Sequence, residues 1–186
     1  MKRTQFAAAC VLMMIMTLQL NSQLKPGMAP PEPAGPADSK TNIDPLKDVA
    51  WLVGGTWMTD LKSPRGEAIH VENRIRWAAN HRAIEFNADF NGEPHYNGFY
   101  AWDPAHKTVG FWYTSSEGEL TIGTAFPDTD AHTLRQDFKV MRPDGATSDV
   151  RSTLVRDGEN AYIFHVFGNK NGQWVEIFQT RYERKP

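Results

Sequence analysis

Glu72, Glu85 and His165 carry the side-chain chemistry for moving protons. A carboxylate or an imidazole beside a bound molecule can take a proton at one atom and return it at another, which serves isomerisation or hydration without a covalent intermediate. His70 and Glu72, two residues apart, share one face of an extended strand and could supply two metal ligands, but a zinc site needs a third. The sequence has no H-x-x-x-H helix, cysteine cluster or calcium loop, so no metal site is expected. Covalent hydrolysis also lacks its parts: there is no G-x-S-x-G elbow, and Cys10 is the only cysteine. Gly54 and Gly55 in "WLVGGTW" are not followed by GKS or GKT, which excludes a phosphate-cradling loop.

What could position such groups begins after the N-terminal segment. Lys2 and Arg3 precede a largely apolar run over 6–20, after which "NSQLKPG" turns polar. This is the pattern of a secretory signal, and residues 1–22 are expected to be removed on export to the periplasm or the medium. The run is shorter than the roughly 20 apolar residues of a bilayer span. No later candidate occurs, so no stable membrane span is expected after cleavage. Cys10 would leave with the signal, and a disulfide framework is not available. Residues 23–44 read as a disordered tether, with six prolines between positions 25 and 45.

The whole chain carries 20 Lys and Arg against 22 Asp and Glu. Loss of Lys2 and Arg3 with the signal leaves 18 against 22, a net charge of −4. There is no basic block to collect phosphates, so no nucleic-acid partner is expected.

From Thr56 onward, strand-forming residues alternate with turn pairs: Asn91-Gly92, Asp103-Pro104, Asp144-Gly145, Asp157-Gly158 and Asn171-Gly172, with Gly118 in "SSEGE". Strands are predicted over 56–62, 67–77, 82–90, 95–102, 108–115, 119–126, 133–141, 148–155, 161–167 and 173–182. The expected class is all-β: an antiparallel up-and-down closed barrel of about ten strands, preceded by a short helical turn over 45–52 that plugs one end. A β-sandwich is the alternative, because strand count alone does not establish closure.

The stretch "WLVGGTWMTD", the following "GEAIHVENRIRWAANHRAIEFNADFNGEPHYNGFYAWDPAHKTVGFWYTSSEGE" and the late "RSTLVRDGENAYIFHVFGNKNGQWVEIFQTRYER" resemble the bacterial family of lipocalin-like barrel proteins called domain of unknown function 1579. The similarity spans residues 45–184 and implies a calycin-type barrel with an internal cavity. It brings no substrate or catalytic residue with it. The haem-binding nitrobindins share the Gly-x-Trp opening and a ten-stranded barrel, and in that group a histidine near the penultimate strands can ligate haem. His165 in "YIFHVFG" is the position suggestive of that role, but the histidine and leucine pattern around it is missing and no cofactor is expected.

Alternation sends one residue set of each strand inward. Both faces of 96–102 and of 109–115 hold aromatic residues, which makes Tyr100, Trp112 and Tyr113 all candidates for a cavity wall, with Phe178 from the last strand. If the polar faces of 67–77 and 82–90 look inward, Glu72, Arg74 and Glu85 form a charged ligand network. The opposite assignment puts Ile69, Val71, Ile75 and Trp77 inside and the charges in water. His165 has three readings: a hydrogen-bonded core histidine, a ligand contact or an axial metal ligand.

The function expected from this pattern is an exported barrel that binds a small hydrophobic or amphipathic molecule in a cavity of at least a few hundred Å³. The alternatives are a noncovalent enzyme of isomerase or hydratase type, a haem-binding nitrobindin-like protein, and a structural or protein-interaction module.

Overall fold

The structure, a computed structural model, describes residues 45–63, 65–128 and 132–185. The expected signal and tether lie outside the described residues. Tight turns over 45–49 lead into a single 3-10 turn, Ala50–Leu52. Ten strands follow: β1 Thr56–Lys62, β2 Ala68–Ala78, β3 Ala83–Phe90, β4 Glu93–Asp103, β5 Thr108–Ser115, β6 Leu120–Pro127, β7 Thr133–Met141, β8 Thr147–Arg156, β9 Ala161–Lys170 and β10 Gln173–Lys185. Each pairs antiparallel with the next, and β10 returns to β1, so the sheet is a closed barrel rather than a sandwich.

Local chemistry accounts for the reversals. Asn91-Gly92 and Asn171-Gly172 both have positive φ at the two central residues, the geometry that matches the twist of a two-residue hairpin. The β2–β3 reversal uses Ala79, Asn80 and His81, all at positive φ without a glycine, and the His81 ring stacks on Trp77 at 4.9 Å.

Because the strands run up and down, the two barrel ends differ. The lower end, where the chain enters β1, is closed by the segment that precedes it. Leu46, Val49 and Leu52 are buried there beneath the fully buried Trp57, whose indole donates to the Leu52 carbonyl at 2.8 Å. Tyr162 meets Trp57 edge-on at 4.8 Å and stacks on Tyr182 at 4.9 Å, while the Arg184 guanidinium lies 4.2 Å over Trp57 and donates to the Trp51 carbonyl. Gly55 makes the approach possible: it has a φ of 67°, and a Cβ there would stand 2.7 Å from the Lys185 carbonyl oxygen. The "WLVGGTW" segment is thus a plug and a first strand.

A second, smaller buried cluster, Val140, Val150 and Val166, lies toward the other end. Phe138, Phe164 and Phe178 pack against both clusters, and a cavity lies between them.

Candidate functional site

The cavity is the barrel lumen, with a volume of about 160 Å³. This is smaller than the few hundred Å³ expected from the sequence, because the lumen is filled by rings from many strands at once. Tyr96 and Tyr113 meet at 5.3 Å, Phe86 and Tyr113 at 5.9 Å, and Phe111 and Phe138 at 5.8 Å. A void of roughly 150 Å³ accommodates one benzene ring, so the lumen is of single-ring size.

Of the candidates named from the sequence, Tyr100, Tyr113 and Phe178 line this cavity. The other five face away from it. In β2 the inward set is Ile69, Val71, Asn73 and Ile75, which leaves Glu72 and Arg74 on the outer surface. There Arg74 reaches Asp89 at 2.5 Å and Glu72 at 3.6 Å, and Glu72 stands 3.3 Å from His70, which also meets Asp60 at 2.7 Å. Glu85 pairs outside with Arg76 at 2.5 Å, and that contact holds its carboxyl below the ordinary range. The charged-ligand network is therefore an exterior ladder, for the reason that an unpaired charge in the lumen costs more than a solvated pair outside.

Trp112 is 45% exposed and packs against Phe99 at 5.5 Å on the outside of the barrel. It is paired in register with Phe99 and with Ile122, itself half-exposed, so the outer wall of β4 to β6 is apolar over three strands. His165 also faces outward, with its Nδ1 3.0 Å from Glu176 and its ring stacked on Phe167 at 6.3 Å. Neither a core histidine nor a lumen ligand describes it. The haem arrangement fails on two counts, since His165 is on the wrong face and a lumen of about 160 Å³ does not admit a porphyrin. With Glu72, Glu85 and His165 all outside, the version of barrel catalysis built on them has no cavity to act in. No group of three or more His, Cys, Asp or Glu able to hold a metal occurs among the described residues.

The lumen's polar groups are mostly ones the sequence did not single out. Gln136 donates from Nε2 to the Tyr100 hydroxyl at 2.7 Å and accepts at Oε1 from Ser152 at 2.6 Å, a buried chain across β4, β7 and β8. Burial pushes the Tyr100 and Tyr182 phenols far above their ordinary range, does the same for Tyr96 and Tyr162, and pushes Tyr113 up to about 12. All five are neutral hydroxyls at physiological pH. Asn73, 7% exposed, stands in the cavity wall with its side-chain amide hydrogen-bonded to the Tyr162 and Tyr182 phenols and its Oδ1 buried without a partner. An unsatisfied buried acceptor costs about 1–3 kcal/mol, which a turn of the amide toward a phenol O–H, or a ligand donor, would recover.

At the upper end Glu119 also lines the lumen. It immediately precedes β6 and continues the inward parity of Thr121 and Ala125. Its backbone N–H donates to Ser115 Oγ at 3.1 Å, which fixes the turn that carries it. Burial raises its carboxyl above the ordinary range, reinforced by Glu117 and opposed by Arg142.

No family model matches the chain, and no curated protein matches it. The fold is that of a lipocalin-like, calycin-type barrel.

Proposed function

We propose that this protein is an exported barrel that binds a small, partly apolar molecule in its lumen, and that it is kin to the domain of unknown function 1579 family. The observation that carries the binding reading is the ring-lined cavity of about 160 Å³ within the closed barrel. Apolar walls with a few placed polar groups are the usual composition of a small-molecule site. The volume narrows the guest to about one ring or a short branched chain. Export rests on the charge and hydropathy pattern of residues 1–22.

Ala88 offers a direct test. It is 2% exposed and lines the lumen, so Ala88→Leu fills part of the cavity from within. Binding of a single-ring probe such as benzyl alcohol, followed by methyl and aromatic NMR shifts of lumen residues, is expected to weaken by about tenfold or more in the folded variant. Shifts that persist unchanged in Ala88→Leu would locate the probe elsewhere.

A further inference from the structure

We propose that the lumen's guest is a small organic cation, a primary ammonium on a single ring or short branched body, with its charge at Glu119 and its body against the faces of Phe86, Phe90, Tyr96 and Tyr113. This rests on the lumen being the binding site and names the ligand class that it takes.

Glu119 is the one charged side chain among the described residues of the cavity wall. It is 7% exposed, and none of the described ion pairs involves it. A carboxylate drawn partly out of water favours a counter-charge and hydrogen-bond donors. Arg142 is electrostatically coupled to Glu119 but makes no described ion pair with it: its Nη2 donates to Ser148 Oγ at 3.0 Å, its Nε is buried without a hydrogen-bond partner, and it is not part of the lumen wall. Ring faces carry negative potential, which attracts a cation and disfavours an anion. The five lumen phenols are neutral and add no charge. An ammonium group is donor-only, and so matches the Glu119 carboxylate in the lumen wall, which only accepts.

The groups facing Glu119 set its response to pH. Glu117 shares its turn and, with burial, favours the protonated acid, whereas Arg142 beyond β7 favours the carboxylate. Tyr96 on β4 and Tyr113 on β5 are electrostatically coupled to it but remain neutral hydroxyls. His95, buried on β4 and held below its ordinary range by that burial, accompanies Glu117 in the same end of the barrel. Ammonium binding therefore requires the carboxylate and weakens as pH falls through the Glu119 titration.

The test compares benzylamine, benzyl alcohol and benzoate, which share one ring and differ in charge, by calorimetric titration of the full chain from acidic to neutral pH. Benzylamine is expected to bind about tenfold tighter than benzyl alcohol or better at neutral pH, with the advantage lost on acidification and in Glu119→Gln. Equal affinity for benzylamine and benzyl alcohol, or tightest binding of benzoate, would overturn the cationic assignment and leave the lumen as a site. Failure of all three to bind, or binding unaltered in Ala88→Leu, would overturn the lumen itself. Should Glu119→Gln not fold, the wild-type titration decides: a benzylamine affinity flat with pH sinks the proposal.

Discussion

Burial acts on the lumen's acid and on its phenols in the same direction, but only the acid titrates where it matters. The Glu119 carboxyl is raised in the folded state above its unfolded value, chiefly by burial. A raised acid contributes stability that is present below the unfolded carboxylate range and lost as pH rises through the folded value. Gln has the same shape without that loss. Glu119→Gln is therefore expected to melt higher than the wild type at neutral pH, with the gap closing in acid, as followed by Tm against pH. A wild type more stable than Glu119→Gln at neutral pH would mean that the carboxylate has a protein counter-charge, and the case for a cationic guest would weaken with it. Glu119 was legible only in part. Its parity with Thr121 and Ala125 was in the sequence, but on β6 the larger apolar residues Leu120, Ile122 and Phe126 are the ones in water. Amphipathicity points the wrong way there. The same difficulty separated Tyr100 and Tyr113, inside, from Trp112, outside: rings occur on both faces, and closure of the barrel decides between them.

Glycines within the strands explain how β6 can face inward with its small residues. Gly123 lies in register between Phe111 on β5 and Phe138 on β7, whose rings meet across it at 5.8 Å. Gly98 lies likewise between Phe86 on β3 and Tyr113 on β5, which meet at 5.9 Å. A Cβ on Gly98 would stand 2.1 Å from the Trp112 carbonyl oxygen, and one on Gly123 would stand 2.4 Å from the Phe138 Cβ. Gly98→Ala and Gly123→Ala are each expected to cost about 1–3 kcal/mol in denaturant unfolding, through overpacking. Gly110 is the internal comparison. Its nearest neighbours to an added Cβ are backbone oxygens at 4.0 Å, so Gly110→Ala is expected to stay within about 0.5 kcal/mol of the parent. Equal costs at all three positions would show that loss of strand glycine, and not ring packing, is being measured. Strands were readable from turn chemistry, with β1, β5 and β7 matching their expected bounds. Strict alternation was misleading in β10, where a bulge between Glu176 and Phe178 sends the first outward to His165 and the second into the lumen. The β2–β3 turn carries no glycine, so Asn80 alone marked its positive-φ run in the sequence.

Closure of the whole barrel depends on its most distant pairing. Neighbouring strands are joined by short turns, whereas β1 meets β10 across nearly the entire domain. Only three residue pairs are in register there, Thr56 with Lys185, Trp57 with Arg184 and Met58 with Glu183, against seven between β1 and β2. Side chains extend the seam: Thr59 and Thr180 hydroxyls meet at 2.8 Å across 121 residues of chain, and Arg184 covers Trp57. Loop-closure entropy is spent on such a contact before it returns anything, while a hairpin such as β3–β4 spends little. The hairpins should then form early and the seam late. Thr180→Val, which removes the hydroxyl pair, is expected to speed unfolding with little effect on the folding rate, the signature of contacts absent from the transition state. Gly92→Ala, which forces an alanine to a φ of 80° in the β3–β4 turn, is expected to slow folding instead. Chevron plots of the two variants separate the cases. A seam variant whose whole destabilisation falls on the folding limb would mean that β1 and β10 meet before the hairpins are complete, and that the plugged lower end, not the local turns, organises the barrel.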